Sequence, residues 1–490
     1  MSKCNPLAFF IFTIKTICKK MKKENLTVIL ALFIGVSLNS QTTFVKTQSI
    51  ALPPGGGNAP YNIASGLIDN DAFPDIIVST TLGNSVYWLK NDGNGVFTVQ
   101  SPEISSTLNS AGGVAIADLN GDGYNDVVTT SYNDNKLVWF ANDGSGNFGT
   151  EQLISSSVSG PSQVYVRQFD NNATLDVSVS SYSGNEVVWF SNDGSGNFGP
   201  KNIIDNTITS PGAYAVKDID FDGDIDAVIG SSVAFGTPND CVIKVFYNDG
   251  NGVFTADTNP VSVNTKDYIF SIMAEDVDGD DSLDILVTDL LGSPSWFKRT
   301  QISPGTATYA ETVLTTSIAN PACLDLRDLD NDSFKDFVLT SATSGGGNDI
   351  VWYKNNGNGG FNSEIVIDNT QSQAYTITFS DFENDGDLDI ATVAYNDDDV
   401  NVFNNQKITL STNDLTNSPF KIYPNPASSK LHLNDVASEN YEISIYDLLG
   451  KKIMESTLNR NFPLDISSLQ SGIYIMKFKE LKQTYKFIKQ

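Results

Sequence analysis

Seven short loops in the sequence carry acidic side chains at alternate positions, a pattern that suits a hard cation. The fullest of them places Asp218, Asp220, Asp222 and Asp226 at positions one, three, five and nine, with Gly223 at position six. Alternate carboxylates in one tight loop repel one another unless a cation lies between them. Calcium accepts about six to eight oxygens with loose geometry, so these carboxylates and a main-chain carbonyl at position seven match its preferences.

Five of the loops, numbered in chain order, are complete enough to be predicted as calcium sites, which gives about five ions. In loops 2 and 4 the predicted ligands are Asp118, Asn120, Asp122, Tyr124 and Asp126, and Asp218, Asp220, Asp222, Asp224 and Asp226. In loops 5, 6 and 7 they are Asp276, Asp278, Asp280, Ser282 and Asp284; Asp328, Asp330, Asp332, Phe334 and Asp336; and Asp381, Glu383, Asp385, Asp387 and Asp389. The loops contain neither thiolate nor imidazole, which disfavours zinc and copper.

Loops 1 and 3 lack the acidic residue at position one and are predicted to be weak or empty sites. Loop 1 has Leu67 there and loop 3 has Gln168. The acidic and amide residues that they retain are Asp69, Asp71 and Asp75 in loop 1, and Asp170, Asn172 and Asp176 in loop 3.

Solvated turns are the alternative interpretation of such loops, since Asp, Asn and Gly are ordinary turn residues. Five near-complete copies at one place in a repeat favour metal binding instead. The odd positions of the seven loops hold 26 of the 58 acidic residues, so the net charge of −28 is largely a feature of these loops. A charge of that sign argues against nucleic acid as a partner.

The last aspartate of each loop marks a repeat, and the successive spacings are 51, 50, 50, 58, 52 and 53 residues. A period this regular indicates stacked copies of one supersecondary unit. Within each unit, short β-branched and aromatic runs alternate with Gly, Asn and Asp clusters, which is typical of a four-stranded antiparallel meander. Residues 42–405 are therefore predicted to form an all-β, seven-bladed β-propeller.

The ends of the repeat region predict how the ring closes. The seventh unit lacks a fourth strand, whereas the segment around Phe44 and Val45 resembles the fourth strands of other units. The N-terminal strand is thus predicted to complete the last blade and remove an open sheet edge. The five tryptophans share one third-strand position, where a core between blades explains them more simply than sugar stacking does: Trp88, Trp139, Trp189, Trp296 and Trp352.

The loop motif and the Trp-Phe-x-Asn-Asp-Gly stretch that follows it resemble the FG-GAP or VCBS-type repeat of the integrin α-subunit propeller and of many bacterial surface proteins. The resemblance implies that the loops bind calcium in the hairpin between the first and second strands, on one face of the ring. It also implies that partners dock on the opposite face, where the segments 234–240 and 341–348 are longer than their counterparts.

Both ends of the chain indicate export. Lysines at positions 19, 20, 22 and 23 precede an apolar run at 26–38, which predicts a signal peptide over residues 1–40. Met21 is an alternative start that would make residues 1–20 an upstream extension. Residues 406–419 are the predicted linker. Residues 420–490, with Tyr423-Pro424-Asn425-Pro426 and Gly472-Ile473-Tyr474, resemble the sorting domain of type IX secretion, which implies a small β-sandwich-like domain, the secretion machinery as partner, and a Gram-negative cell surface or release.

These features favour a secreted or cell-surface monomer that binds an extracellular glycan or protein. The alternative is a calcium-dependent polysaccharide lyase or related carbohydrate-active enzyme, for which Lys298 and Arg299 are the candidate bases. The single histidine, His432, lies outside the repeats, and no nucleophile motif is found, so we expect a binding module and not an enzyme. No segment after the signal region resembles a transmembrane helix.

Overall fold

The computed structural model describes residues 43–53, 58–232, 241–263, 265–303, 305–314, 316–344, 347–357, 360–406, 421–434, 440–447, 452–459, 463–478 and 484–490. The predicted signal peptide, nearly all of the predicted linker and the segment 234–240 lie outside these residues. The chain divides into two compact units, residues 1–407 and 408–490. Regular structure in the described part is entirely β-strand, and it includes no helix that could cross a membrane.

Seven antiparallel sheets in the described part of the first unit are the blades. Blade 1 consists of β2 (Pro60–Gly66), β3 (Asp75–Thr80), β4 (Val86–Asn91) and β5 (Phe97–Val99). Blade 2 consists of β6 (Ala111–Ala117), β7 (Asp126–Ser131), β8 (Lys136–Phe140) and β9 (Gln152–Ser155). Blade 3 consists of β10 (Pro161–Arg167), β11 (Asp176–Ser181), β12 (Glu186–Asn192) and β13 (Phe198–Asp205). Blade 4 consists of β14 (Pro211–Lys217), β15 (Asp226–Ser231), β16 (Val242–Asn248) and β17 (Phe254–Ala256), and β18 (Ser262–Val263) also pairs with β16.

The remaining blades follow the same order, except at the point of closure. Blade 5 consists of β19 (Ile269–Glu275), β20 (Asp284–Asp289), β21 (Ser295–Ser303) and β22 (Thr306–Val313). Blade 6 consists of β23 (Pro321–Arg327), β24 (Asp336–Ser341), β25 (Ile350–Tyr353) and β26 (Ile365–Asp368). Blade 7 consists of β27 (Ala374–Ser380), β28 (Asp389–Ala394), β29 (Asp399–Asn405) and the N-terminal β1 (Phe44–Ala51).

Burial along each blade explains why the sequence repeats. The second strand of every blade is six residues long and buried at all six, as β7 illustrates. A strand with a blade packed on each face has no solvent side, so its interior positions, between the first aspartate and the last residue, are apolar, small or hydroxylated instead of alternating with polar ones. The fourth strand, such as β9, is mostly exposed. The first strands contact one another in a closed circle, from β2 through β6, β10, β14, β19, β23 and β27 back to β2.

The closure predicted from the sequence is confirmed. Strand β1 pairs antiparallel with β29 from Phe44 opposite Asn405 to Ala51 opposite Asp399. The Phe44 ring meets Trp352 of blade 6 edge-on, with 6.1 Å between centroids. Blade 7 is therefore built from both ends of the propeller sequence.

The tryptophans lie between blades, as the core interpretation predicts. They are 3–8% exposed. Trp139 of blade 2 packs against Phe198 and Gly196 of blade 3. A Cβ at Gly196 would collide with the indole, and its φ of +77° also favours glycine. The second glycine of the Asn-Asp-Gly-x-Gly turn thus serves packing as well as backbone geometry.

The asparagine that opens this turn joins neighbouring blades, a role that turn geometry did not predict. Asn142 of blade 2 is 2% exposed, and its Nδ2 donates to the carbonyl of Ile68 in blade 1 at 2.6 Å and to that of Asn125 at 2.9 Å. The equivalent bonds to the preceding blade come from Asn91, Asn192, Asn248, Asn355 and Asn405. In blade 5 the position is Arg299, whose Nη1 donates to Ile219 at 3.4 Å. These bonds complete a circuit of the ring.

Replacing Asn142 by alanine is expected to lower the free energy of unfolding by about 1–3 kcal/mol, because the buried Ile68 carbonyl and the half-buried Asn125 carbonyl lose their donor. Asn147 is the matched control, since its amide bonds only the exposed Asp143 of the same turn. Asn147→Ala should change stability by less than about 0.5 kcal/mol. Chemical denaturation of both variants tests the prediction, and equal effects would contradict a role between blades.

The C-terminal unit is a small two-sheet domain, in agreement with the predicted sandwich-like fold. One sheet contains β30 (Lys421–Tyr423), β31 (Lys430–Asn434) and β34 (Leu464–Asp465). The other contains β33 (Lys452–Asn459), β32 (Asn440–Asp447), β35 (Gly472–Phe478) and β36 (Thr484–Lys489). Leu431 of the first sheet and Ile443, Met476 and Phe478 of the second share one buried core.

Candidate metal centres and ligand face

Each acidic loop connects the first and second strands of its blade, and the aspartate at position nine anchors it. Asp126 is fully buried, and its two carboxylate oxygens accept the backbone N–H groups of Leu119 and Asn142 at 3.0 and 2.9 Å. The equivalent aspartates of the other loops are also fully buried and accept at least one such backbone bond. The last predicted ligand therefore also holds the hairpin together.

The carboxylate at position one shapes the five loops that were predicted to be complete. Asp118, Asp218 and Asp381 each accept the backbone N–H of the glycine at position six, at 2.9–3.0 Å. In loops 5 and 6, Asp276 and Asp328 accept the corresponding N–H groups of Asp281 and Ser333. Loops 1 and 3 have no carboxylate at this position. The distinction between complete and degraded loops thus has a hydrogen-bonding basis.

Three of the five complete loops bring three carboxylates together. In loop 4, oxygens of Asp218, Asp220 and Asp226 all lie within 4.8 Å of one another. Loop 5 does the same with Asp276, Asp278 and Asp284, and loop 6 with Asp328, Asp330 and Asp332. Among the described residues, loops 2 and 7 form no such group. Loop 2 has an amide, Asn120, at position three, and in loop 7 the Glu383 carboxylate accepts a bond from Asn404.

Loop 4 fits a hard cation best, because it contains buried carboxylate oxygens that no hydrogen bond satisfies. Asp218 Oδ1 and Asp220 Oδ1 are both in this state. An unpartnered buried anionic oxygen is costly, and a cation at the point where the oxygens converge removes that cost. Asp278 Oδ1 in loop 5 and Asp330 Oδ1 in loop 6 are also buried without a hydrogen-bond partner. The donor set is all oxygen, as calcium requires.

Burial raises the pKa values of the position-nine carboxyl groups. The pKa is raised to about 7 for Asp226, Asp336 and Asp389, and to about 6 for the other four. Nearby loop carboxylates add to the effect in Asp226, where Asp220 and Asp222 contribute. The loops are therefore electrostatically unfavourable when fully ionised without a cation.

The metal-free propeller is expected to lose stability as pH rises from about 4 to 7, between the ordinary aspartate pKa and the raised values of about 6 to 7. A carboxyl group with a raised pKa binds its proton more tightly in the folded state, so deprotonation favours unfolding above the unfolded-state pKa and up to the folded one. Melting temperatures of protein freed of metal by gel filtration should fall across this window. Asp226→Asn removes one titrating group and should reduce the slope, whereas a flat profile for the wild type would contradict the prediction.

The two candidate catalytic bases are engaged in structural contacts. The Lys298 ammonium forms ion pairs with Asp278 and Asp280 of loop 5. Arg299 is 3% exposed and donates to the Tyr247 hydroxyl at 3.2 Å. Both cations therefore serve the loop and the packing of blades 4 and 5.

A cluster of aromatic rings lies at the other end of the first strands from the acidic loops. We call Tyr61, Phe270, Tyr375 and Tyr395 the axial aromatic cluster. The Tyr375 ring contacts the other three, with centroid distances of 5.7 Å to Tyr61, 5.7 Å to Phe270 and 5.0 Å to Tyr395. Tyr61, Phe270 and Tyr375 occupy the second position of β2, β19 and β27, while Tyr395 follows β28. All four are half-buried.

The ring axis contains a cavity of about 730 Å³ lined by the first strands of all seven blades. Its charged lining residues are Arg167, Lys217, Glu275, Asp325 and Arg327. Lys217 pairs with Glu275, and Arg327 pairs with Asp325 at 3.1 Å. Burial raises the pKa of Asp325 to about 6. A second cavity, of about 50 Å³, lies against Tyr61 and Phe270 of the axial aromatic cluster.

Each of the two units contains segments that match a known protein family. The FG-GAP-like repeat matches residues 68–129, 118–179 and 296–392. The secretion system C-terminal sorting domain matches residues 421–490. No curated protein sequence matches the chain.

Solved structures with a similar fold have low sequence identity to the chain. BBS1N in complex with ARL6DN has a TM-score of 0.51 at 8% identity, and the match covers 75% of this chain and 98% of that one. A streptogramin B lyase has a TM-score of 0.48 at 15% identity, covering 74% and 98%. An Agrocybe aegerita lectin that recognises non-reducing terminal N-acetylglucosamine has a TM-score of 0.45 at 17% identity, covering 65% and 83%.

The sorting domain implies interaction with the type IX secretion machinery and export to the cell surface or the extracellular space. The chain is a β-propeller with FG-GAP-like repeats at residues 68–179 and 296–392, and it ends in a type IX sorting domain that supports its secretion.

Proposed function

We propose that the propeller is a calcium-binding recognition module that binds an extracellular glycan or protein and carries no catalytic activity. The observation that supports calcium most directly is in loop 4, where three carboxylates converge and two buried oxygens have no hydrogen-bond donor. The ions would stabilise the hairpins on one face of the ring. Lys298 and Arg299 are already engaged in ion pairs and hydrogen bonds, which favours binding over the lyase alternative.

The ligand surface in this proposal is the face opposite the acidic loops, centred on the axial aromatic cluster. Half-buried tyrosines offer both an apolar ring and a hydroxyl, a combination that suits sugars and protein side chains alike. Residues from blades 1, 5 and 7 contribute to the cluster, so a ligand there would contact several blades at once. Residues 341–344 and 347–348 of the predicted segment 341–348 belong to the same face, and residues 345 and 346 lie outside the described part of the chain.

Removal of calcium is expected to destabilise the propeller. A ligand that binds only the folded state stabilises it by about 2.7 kcal/mol per site when its concentration is about 100-fold above Kd. With dissociation constants of about 10⁻⁴ M, as extracellular calcium modules have, 10 mM calcium should raise the melting temperature clearly over chelated protein, and magnesium should do so less.

Asp220→Asn and Asp170→Asn are a matched pair for this measurement. Both residues occupy position three, in the complete loop 4 and the degraded loop 3. Asp220→Asn should remove part of the calcium-dependent stabilisation, whereas Asp170→Asn should leave it unchanged. A melting temperature that calcium does not change would refute calcium binding.

The ligand face is tested by probing glycan and protein arrays with the calcium-loaded propeller and with Tyr395→Ala. The substitution shortens a side chain at the edge of the axial aromatic cluster and should abolish or strongly weaken any binding found. Leu153→Ala is the control, because Leu153 is 56% exposed on the outer strand β9. Ligand binding that survives Tyr395→Ala but is lost in variants of the other face would contradict this assignment.

We also propose the domain boundaries that export requires: a signal peptide over residues 1–40, a linker over 406–419 and a sorting domain over 420–490. A chain without residues 420–490 should be exported to the periplasm and retained there, while the full chain crosses the outer membrane. Surface labelling and cell fractionation distinguish the two. Equal export of both forms would contradict the role of the C-terminal unit.

A further inference from the structure

Three of the seven acidic loops contain a lysine from their own blade. Lys90, Lys298 and Lys354 follow the third-strand tryptophan by two residues, at one equivalent position of the repeat. The other four blades have uncharged residues at this position: Ala141, Ser191, Tyr247 and Asn404. The lysines therefore distinguish loops 1, 5 and 6 from loops 2, 3, 4 and 7.

Each lysine ammonium bridges the carboxylates at positions three and five of its loop. Lys298 Nζ pairs with Asp278 and lies 2.8 Å from Asp280 Oδ2. Lys354 Nζ pairs with Asp330 and lies 2.9 Å from Asp332 Oδ2. In loop 1, Lys90 pairs with Asp69 and lies 3.6 Å from Asp71. The positive charge thus lies among the carboxylates that a divalent ion would use.

Loops 4 and 6 show what the lysine changes and what it leaves unsatisfied. Loop 4 has Tyr247 in place of lysine, and Asp218 Oδ1 and Asp220 Oδ1 have no hydrogen-bond donor. In loop 6 the Asp330 side chain is 6% exposed, and the lysine satisfies its Oδ2 while Oδ1 stays without a partner. A single ammonium therefore neutralises the carboxylates of loop 6 only in part. A divalent ion, with twice the charge, would neutralise them more completely.

We propose that Lys298 and Lys354 are tethered cations that compete with calcium for loops 5 and 6, and that Lys90 takes the place of the ion in loop 1. This inference rests on the proposed calcium binding. The lysine side chains are 37% and 22% exposed, so each can swing out to solvent when an ion enters. Loop 4, which has no internal cation, fills first, and loops 5 and 6 fill at higher calcium concentrations.

The test is calcium titration by calorimetry of the wild-type propeller and the Lys298→Met/Lys354→Met variant, which keeps the side-chain length and removes the charge. Two sites should bind calcium about tenfold more tightly in the variant, the change expected when a charge-assisted contact no longer has to be broken. Lys136→Met is the control. It removes an ion pair with Glu151 on the same propeller, at 3.1 Å and away from the loops, and should leave every site unchanged.

Thermal unfolding after chelation provides a second readout. Without calcium, the variant should melt at a lower temperature than the wild type, because the loop carboxylates lose their internal cation; saturating calcium should remove or reverse this difference. Calcium titration curves that coincide, or equal melting temperatures after chelation, would overturn the inference.

Failure of the inference about the lysines can be distinguished from failure of the proposed calcium binding. If the wild-type protein binds no calcium at any loop, the proposed calcium binding fails. Calcium binding that then arises in the Lys298→Met/Lys354→Met variant would still support the tethered lysines, and its absence in that variant would overturn them.

Discussion

Deleting residues 42–52 is expected to destabilise the propeller by more than about 5 kcal/mol or to prevent folding, an effect beyond the usual range of single substitutions. The deletion removes β1, which pairs with β29 along its whole length from Phe44 to Ala51. It exposes the edge of blade 7 and uncovers Trp352, which packs against Phe44. An open edge also offers unpaired backbone groups for aggregation.

The matched control is a chain that begins at residue 43 and keeps β1. Its melting temperature should equal that of the processed protein, while the chain that begins at residue 53 should melt far lower or be insoluble. Adding a synthetic peptide of residues 42–52 should partly restore stability, because the strand can pair in trans. Equal melting temperatures for the two chains would contradict closure of the ring by β1.

Replacing Trp139 by alanine is expected to cost about 3–5 kcal/mol of stability, the range for large aromatic residues in a core. The indole is 3% exposed and fills the space between blades 2 and 3, against Phe198 and Gly196. A cavity between blades cannot collapse easily, because backbone bonds on both sides hold the sheets in place.

Leu153→Ala is the control for this substitution as well, since a residue 56% exposed in the same blade should change stability by less than about 0.5 kcal/mol. Chemical denaturation of both variants provides the comparison. A Trp139→Ala protein of unchanged stability that lost sugar binding would instead support the alternative of a sugar-stacking tryptophan.

The arrangement of the acidic loops gives the two faces of the ring different properties. One face carries the acidic loops. The opposite face, at the other end of the first strands, carries the axial aromatic cluster. Under the proposed calcium binding, an ion in an acidic loop would lie at the opposite end of the first strands from the axial aromatic cluster. Such an ion would not contact a ligand bound at the axial aromatic cluster.

The repeat itself could be predicted from the sequence, because each blade satisfies the same local requirements. The spacing of Asp75, Asp126 and their equivalents marks a hairpin whose last aspartate is buried and accepts at least one backbone N–H group. Continuous burial of the second strands requires apolar and small residues at their interior positions, and this pattern is visible in the chain. The missing fourth strand of the last unit, with the matching segment at Phe44, was sufficient to predict closure.

The polar contacts between blades and within the loops could not be predicted in the same way. Asn142 donates to Ile68 across 74 residues of sequence, and a turn preference already explained the asparagine. The asparagine recurs at the same position of every blade except blade 5, where Arg299 takes its place. This recurrence was the sequence signal for a contact between blades. The tethered lysines are similar: Lys298 lies 20 residues after Asp278, and only the pairing of β20 with β21 returns it to the loop.

The acidic loops show both what the local sequence determines and what depends on the tertiary structure. By itself the sequence determined that seven loops exist, that five retain a carboxylate at position one and that loops 1 and 3 do not, because these are properties of residues at fixed local spacing. The tertiary structure alone decided that carboxylates converge in loops 4, 5 and 6, that two of those loops contain a lysine, and that aromatic rings from distant blades meet at the axis. Convergence depends on how strands pair and blades close, and local spacing does not encode it.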